Sequence, residues 1–159
     1  MVQLVSGDVL LSKAEVIAVD IGPDETWSRG LAKSLRDKWP AIAKDFERHR
    51  ARHPVLPGSV WTWNAPGGQR VAALVTREVA GKRGPGAAAV NYVDAALAGL
   101  QGLIRRRRPG SVAVARLCDG DDGLPWGDVE PFIHEHLQEF GIPVALYDRH
   151  RKGVRVAGA

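Results

Sequence analysis

The sequence predicts an α/β protein with a three-layer α/β/α arrangement around a central mixed sheet. Short apolar runs rich in Val, Ile and Ala recur along the 159 residues and are typical of buried strands. Amphipathic stretches with helical periodicity lie between these runs. Hydrophobic residues make up 45% and charged residues 25% of the chain, which is ordinary for a globular domain.

The first half of the chain predicts four strands and two helices. The strands are apolar or alternating runs bounded by Gly, Pro or Asp, and the helices carry apolar residues three or four positions apart. Pro40 separates the two helices because proline lacks a backbone donor. The predicted strands cover residues 2–5, 15–21, 59–64 and 70–75, and the predicted helices cover 28–39 and 41–52.

The second half predicts a loop over 81–86, followed by the longest helix over 87–108, which Pro109 and Gly110 end. A strand over 112–115, a helix over 129–140 and a short strand over 143–147 follow. Nothing in the composition divides the chain. We therefore predict one domain over residues 1–148 and a basic tail over 149–159.

Charge and cysteine content limit the classes of function. The formal net charge is +4, and two basic clusters, 105–108 and 149–155, contribute much of it. Such clusters can attract nucleic acid, or they can simply end a helix and form a solvated tail. The single cysteine excludes an intramolecular disulfide, and no apolar run is long enough to span a membrane. We therefore expect a cytoplasmic protein without a membrane anchor.

No metal site is predicted. His134 and His136 are two positions apart on a predicted helix, so they face different directions and do not form a ligand pair. Cys118 has no second cysteine with which to bind a metal. No cofactor is indicated either.

Residues 116–126 hold the most informative pattern in the chain. An apolar strand precedes Gly120 and Gly123, and a helix follows them. Backbone N–H groups of such a loop can converge on an anion. The same loop carries Asp119, Asp121 and Asp122, and a carboxylate beside a phosphate can activate water. An exposed acidic turn that caps the helix is the alternative interpretation.

With these motifs in order, the chain resembles macrodomains, which are ADP-ribose-binding α/β/α modules. It is most similar to the branch that contains the terminal ADP-ribose protein glycohydrolase and the DNA ADP-ribosyl glycohydrolase antitoxins. The resemblance covers nearly the whole chain. The motifs that carry it are Ser6-Gly7-Asp8-Val9, Gly30-Leu31-Ala32, Trp39-Pro40, Val75-Thr76-Arg77, residues 91–100, residues 117–126 with Asp128-Val129 and Pro131, and Ile142-Pro143-Val144.

The resemblance implies roles for individual residues in binding ADP-ribose. Asp8 would accept a hydrogen bond from the adenine amino group, unless it only forms a turn. The backbone of Val9 would contact the ring. The other residues expected in the ligand site are Gly22, Trp27, Leu117, Gly120, Gly123 and Tyr147. For Trp27 the alternative is an aromatic residue of the core.

The first ligand loop departs from the family pattern. Macrodomains carry Asn residues and a run of glycines before Gly-Leu-Ala. Here the Asn positions correspond to Val19 and Gly22, and Glu25 and Ser28 replace glycines. If Asp24 and Glu25 faced a diphosphate, their charges would repel it.

The nucleophile of the hydrolase branch also differs. A lysine in that branch corresponds to Arg77 here, and a guanidinium stays protonated and is a poor nucleophile. Lys82 is a candidate substitute five positions later. Asp122, with Asp121 as its neighbour, corresponds to the branch's acid/base residue. The candidate catalytic residues are therefore Asp122, Asp121 and Arg77.

Three functions remain open at this point. The chain binds ADP-ribose or a related nucleotide with little or no turnover, or it hydrolyses ADP-ribosyl groups on DNA or protein. In the third alternative it is an interaction scaffold without a ligand. The expected partners are ADP-ribose or an ADP-ribosylated macromolecule, with weak nucleic-acid contact and no membrane.

Overall fold

The computed structural model describes residues 1–80, 86–120 and 123–159. Short elements alternate along this part of the chain, and a 3-10 turn, Val9–Leu11, follows the first strand. The strands are β1 (Val2–Gly7), β2 (Val16–Ile21), β3 (Val60–Asn64), β4 (Arg70–Val75), β5 (Val112–Val114) and β6 (Val144–His150). The helices are α1 (Gly30–Lys38), α2 (Ala41–Arg52), α3 (Val90–Arg107) and α4 (Trp126–Leu137).

The strands form one mixed sheet in the order β1-β6-β5-β2-β4-β3. Every neighbouring pair is parallel except β3 and β4. The carboxyl ends of β1, β6, β5, β2 and β4 therefore meet at one edge of the sheet. In parallel α/β sheets, ligands bind outside this edge.

Helices cover both faces of the sheet. On β2, Ile17 and Val19 belong to a core shared with α1 and α2, whereas Val16 and Ala18 belong to a core shared with α3 and α4. This alternation follows from the two-residue period of a strand. The predicted three-layer α/β/α fold around a mixed sheet is confirmed.

The last strand extends further than its apolar residues indicate. β6 continues through Arg149 and His150, because these residues pair with Ser6 and Gly7 of β1. The predicted division after residue 148 therefore falls inside this strand. Arg149 and His150 have exposed side chains. Their polar character therefore reflects contact with solvent, although their backbones still pair with β1.

Residues that follow β6 fold back onto the start of the chain. The backbone N–H of Arg151 donates to the carbonyl of Gly7 (2.9 Å), and the N–H of Asp8 donates to the carbonyl of Val154 (2.7 Å). Val156 packs so closely on Gly7 that a Cβ there would lie 2.6 Å from its side chain. This C-terminal segment, residues 151–159, is thus anchored to β1.

Across the described residues, no helix has the combination of length and apolar composition needed to cross a membrane.

Candidate functional site

A cleft of about 880 Å³ opens at the carboxyl edge of the sheet. Asp8 and Tyr147 line it beside β1 and β6, and Asp20 and Arg77 line it beside β2 and β4. Its size lies within the range of small-molecule sites. Because neighbouring strands are roughly 4.8 Å apart, the β1 and β2 ends of the cleft are separated by about 14 Å. The cleft is long enough for an extended ligand.

The Asp8 side chain is fixed at one end of the cleft. Its Oδ1 accepts from the N–H of Leu10 (3.1 Å), and its Oδ2 accepts from the N–H of Gly153 (3.0 Å). The residue is only 9% exposed and lines the cleft. An ionised carboxylate has about four acceptor positions, so two remain for a ligand donor.

A lysine stands at the same end of the cleft. Lys38 donates from Nζ to the carbonyl of Leu10 and lies 4.6 Å from the ring centre of Trp39. Burial lowers the pKa of Lys38, and the negative charge of Asp8 opposes this shift. Lys38 therefore adds positive charge beside the Asp8 carboxylate.

The loop after β5 is tightly closed. The N–H of Leu124 donates to the carbonyl of Cys118 (3.0 Å), and Gly123 donates to Gly120 (3.1 Å). A Cβ at Gly123 would lie 1.7 Å from the Cys118 carbonyl, so only glycine fits there. Gly120 has a φ of +99°, which favours glycine, and its Cβ direction is open. Gly120 lines the cleft, so its backbone is accessible to a ligand.

Arg116 places a positive charge near the middle of the cleft. Its guanidinium lies 4.7 Å from the ring centre of Trp126, and its Nε is 3.5 Å from Asp119 Oδ1. Its Nη1 also donates to the carbonyl of Asp148. These contacts involve two of the five N–H donors of the guanidinium, so others remain for an anion.

Asp20 joins three elements around the opposite end of the cleft. Its Oδ2 accepts from Thr76 Oγ1 (3.1 Å), which follows β4, and from the N–H of Cys118 (3.2 Å), which follows β5. Burial raises the pKa of the Asp20 carboxyl, and the charge of Arg77 partly opposes that shift. We did not predict Asp20 as a site residue; its one sequence signal is its position at the end of an apolar strand.

Cys118 is unsuited to nucleophilic catalysis. The residue is fully buried, and burial, together with the negative charge of Asp20, raises the pKa of its thiol to about 12. A thiol must ionise to act as a nucleophile. The structural contribution of Cys118 is the backbone N–H that it donates to Asp20.

The carboxylates of the first loop contact the protein's own backbone. Glu25 accepts from the N–H of Gly22 (3.4 Å) through Oε1 and from the N–H of Trp27 (3.2 Å) through Oε2. Asp24 Oδ2 accepts from the N–H of Ala80 (3.1 Å). Glu25 lines the cleft, so its charge faces any ligand there.

Trp27 belongs to the core and does not face the cleft. Its side chain is 1% exposed and makes edge-to-face contacts with Phe46 and Trp61, with ring centres 5.6 and 6.4 Å away. This placement matches the alternative interpretation of Trp27 as a core aromatic. It leaves no free ring face for a ribose.

Gly22 acts through its neighbour Arg77. A Cβ at Gly22 would lie 3.1 Å from Cδ of Arg77, so the missing side chain leaves room for the arginine. Arg77 lines the cleft near Asp20. Gly22 therefore positions Arg77 and does not line the cleft itself.

The structure brings only some of the predicted residues to the cleft. Asp8, Val9, Arg77, Gly120 and Tyr147 line it. Leu117, like Trp27, is buried in a hydrophobic core, and Gly123 closes its own loop. Asp121, Asp122 and Lys82 lie outside the described residues, so their catalytic roles stay predictions.

Within residues 1–80, 86–120 and 123–159, no group of three or more His, Cys, Asp or Glu side chains could hold a metal ion.

Solved structures with the same architecture cover nearly the whole chain. The macrodomain of Thermus aquaticus DarG superposes with a TM-score of 0.81 and 23% identity, over 92% of this chain and 97% of that one. The macrodomain of Mycobacterium tuberculosis DarG gives a TM-score of 0.80 and 24% identity over the same shares. The chain has the macrodomain fold. Thermosipho africanus DarTG in complex with ADP-ribose gives a TM-score of 0.80 and 18% identity, over 98% of this chain and 43% of that one.

Sequence comparison gives a related result. The DNA ADP-ribosyl glycohydrolase of Mycobacterium tuberculosis is 29% identical over 142 residues, which are 87% of this chain and 39% of the relative. The Mycobacterium bovis protein of the same name matches equally. The chain thus spans well under half the length of these curated relatives. No family model matches the sequence.

Replacing Asp20 by Asn should change how stability depends on pH. The pKa of Asp20 is raised above its ordinary value of 3.8 in the folded state, so the folded protein binds more protons than the unfolded one in the window above 3.8. The stability contributed by this group is therefore greatest below 3.8 and declines as pH rises through the folded pKa. Denaturant unfolding of the parent and Asp20→Asn measures this difference.

The expected result is a free-energy difference, parent minus variant, that falls with rising pH and then becomes constant. Glu135→Gln, which removes an exposed carboxylate on α4, is the control. A difference that is flat or rises with pH would contradict the role of burial at Asp20.

Proposed function

We propose that this macrodomain binds ADP-ribose, or a related adenine nucleotide, in the cleft at the carboxyl edge of its sheet. The observation that carries the proposal is the Asp8 carboxylate. It is held by two backbone N–H groups, is almost fully buried, and keeps free acceptor positions at the end of the cleft. A carboxylate with free acceptor positions suits the exocyclic amine of adenine.

The order of residues along the cleft supports a placement for the remaining parts of the ligand. With adenine at Asp8, the first phosphate lies over the Gly120 backbone and the Arg116 guanidinium, near the middle of the cleft, and the second phosphate follows on the side of the first loop. The second ribose then reaches Asp20 and Arg77, about 14 Å from Asp8 at roughly 4.8 Å per strand. This order supports an extended dinucleotide-like ligand. Along the cleft, the acceptor Asp8 is followed by the donor Arg116 and then by the polar pair Asp20 and Arg77.

Asp8→Ala should weaken ADP-ribose binding by roughly 1.5–3 kcal/mol, the usual contribution of a hydrogen bond to a charged group. Calorimetric titration of both proteins with ADP-ribose measures this difference in binding free energy. The analogue with hypoxanthine in place of adenine carries a carbonyl where adenine has its amine. The parent should therefore bind this analogue more weakly than ADP-ribose, whereas Asp8→Ala should bind the two ligands about equally.

Equal affinity of the parent for both ligands would remove Asp8 from base recognition. No binding of ADP-ribose at millimolar concentration would favour the third function, a scaffold without a ligand. Glu135→Ala, away from the cleft, controls for the loss of a negative charge.

A glycohydrolase is the second candidate function, because two curated relatives carry the name DNA ADP-ribosyl glycohydrolase. The chain covers 39% of their length, so the whole activity is not carried over. Arg77 stands beside Asp20 at the proposed ribose end, and a guanidinium offers no lone pair for a covalent intermediate. Turnover would then require direct attack by water, with Asp122 or Asp121 as base.

We expect little or no turnover by the parent, and Arg77→Lys should release ADP-ribose faster. The lysine can supply a neutral amine when burial lowers its pKa. The assay follows ADP-ribose released from modified DNA and modified protein, with Asp122→Ala as the matched loss-of-base variant. Fast release by the parent, or an adduct found on Lys82 by mass spectrometry, would show that the nucleophile has been misplaced.

The basic clusters occupy different ends of the fold. Residues 105–107 end α3, whereas His150 and Lys152 line the cleft. Arg105 also pairs with Glu139 (2.6 Å). The cluster that flanks the cleft is therefore the better placed of the two to contact the nucleic-acid part of a modified substrate. The cytoplasmic location expected from the sequence stays a prediction.

The parent should bind DNA weakly, without sequence preference, and with an affinity that falls steeply as salt is added. Lys152→Ala with Arg151→Ala should reduce the salt dependence more than Arg106→Ala with Arg107→Ala. Fluorescence anisotropy at several salt concentrations measures this. Binding that is insensitive to salt, or absent at low salt, would contradict an electrostatic contact.

A further inference from the structure

The first loop, residues 22–29, contains an anion of its own. Both oxygens of Glu25 accept backbone N–H groups, from Gly22 at 3.4 Å and from Trp27 at 3.2 Å. Convergent backbone N–H groups of this kind are the donors with which loops hold phosphate oxygens. In this chain a side-chain carboxylate already occupies them.

Contacts within the protein hold the loop in this conformation. Trp27 has a φ of +57°, in the left-handed region that non-glycine residues adopt rarely. Its buried ring, packed on Phe46 and Trp61, fixes the residue in place. Asp24 holds the other side of the loop to Ala80 (3.1 Å). Glu25 is therefore presented by a constrained loop.

We propose that Glu25 determines ligand specificity by acting as an internal anion that excludes a phosphate from the first loop. This inference rests on the proposed function, since it concerns the same cleft. The consequence is an asymmetric site. One phosphate is held by the Gly120 backbone and Arg116, and the end of the cleft near Asp20 and Arg77 disfavours a second negative group.

The physical basis is a repulsion combined with a loss of donors. A phosphate brought to the first loop meets the Glu25 charge at short range and finds the N–H groups of Gly22 and Trp27 already bonded. In a partly buried site, a like charge a few ångströms from a phosphate reduces the binding affinity by about tenfold or more. A ligand that ends at its first phosphate, near the middle of the cleft, avoids this penalty, whereas the second phosphate of ADP-ribose lies further towards the first loop and meets it.

The test is titration of two probes, ADP-ribose and AMP, against the parent, Glu25→Gln, Glu25→Ala and Asp24→Asn. AMP ends at its first phosphate, which lies near Arg116 when adenine is at Asp8, so it does not reach Glu25. Asp24→Asn is the matched control, because it removes the same charge from the adjacent residue, whose carboxylate contacts Ala80 and does not line the cleft.

Both Glu25 variants should bind ADP-ribose about tenfold tighter than the parent, since both remove the like charge, and Glu25→Ala also frees the backbone donors. Affinity for AMP should stay within about twofold in every variant, as should the affinity of Asp24→Asn for ADP-ribose. Binding of ADP-ribose by the Glu25 variants alone would also support the inference. Thermal unfolding without ligand is measured in parallel. If Glu25→Ala lowers the unfolding temperature, the affinity of Glu25→Gln for ADP-ribose is the result that tests the inference, because this variant keeps an acceptor oxygen.

Two results would overturn the inference while leaving the proposed function intact. In the first, the parent binds ADP-ribose and the Glu25 variants bind it no tighter. In the second, Asp24→Asn tightens binding as much as the Glu25 variants, so that net charge and not position is responsible. If neither probe binds to any form, the proposed function fails, and this inference fails with it.

Discussion

The arrangement of the cleft depends on one carboxylate, that of Asp20. It lies at the end of β2 and accepts hydrogen bonds from Thr76 and from the backbone of Cys118, so it fixes the ends of three neighbouring strands relative to one another. Burying an ionised carboxylate is costly unless it is paired and hydrogen-bonded. Arg77 offsets part of that cost through its charge. Because Thr76 precedes Arg77 and Cys118 lies in the loop after β5, this junction connects the segment that carries Arg77 to that loop.

Two loops flank this junction, the first loop (residues 22–29) and a second loop that follows β5. They differ in the charge that they present to the cleft. In the first, Glu25 and Asp24 use their oxygens to satisfy backbone N–H groups of the protein. In the second, Gly120 leaves its backbone open and Arg116 stands nearby with donors to spare. Gly120 and Arg116 therefore present positive potential to the cleft, whereas Glu25 presents a negative charge. Each end of the cleft thus combines a carboxylate with a basic side chain. These are Asp8 with Lys38 at one end and Asp20 with Arg77 at the other.

The sequence predicted the layers of the fold well because its signals there are local. The limits of β4 and α2 match their predictions, since apolar periodicity and Pro40 mark them directly. The extension of β6 could not be seen, because its last residues are polar and only their pairing with β1 reveals it. Asp20 was missed for a similar reason: its partners lie 56 and 98 positions away, and a lone Asp carries no motif. From the sequence, Trp27 could be either a ligand-site residue or a core aromatic, because periodicity does not distinguish the two. Its packing against Phe46 and Trp61 places it in the core.

The C-terminal segment has a consequence for how the site forms during synthesis. Asp8 and Gly153 are joined by a hydrogen bond, although 145 positions separate them. The Asp8 end of the cleft therefore consists of parts that are synthesised at widely separated times. A growing chain can assemble the layers around β2 and β4 earlier, but the acceptor at Asp8 obtains its full set of partners only when synthesis has passed residue 153. This end of the cleft is thus complete only after all six strands of the sheet have been synthesised, and a chain that stops before residue 153 lacks the contact.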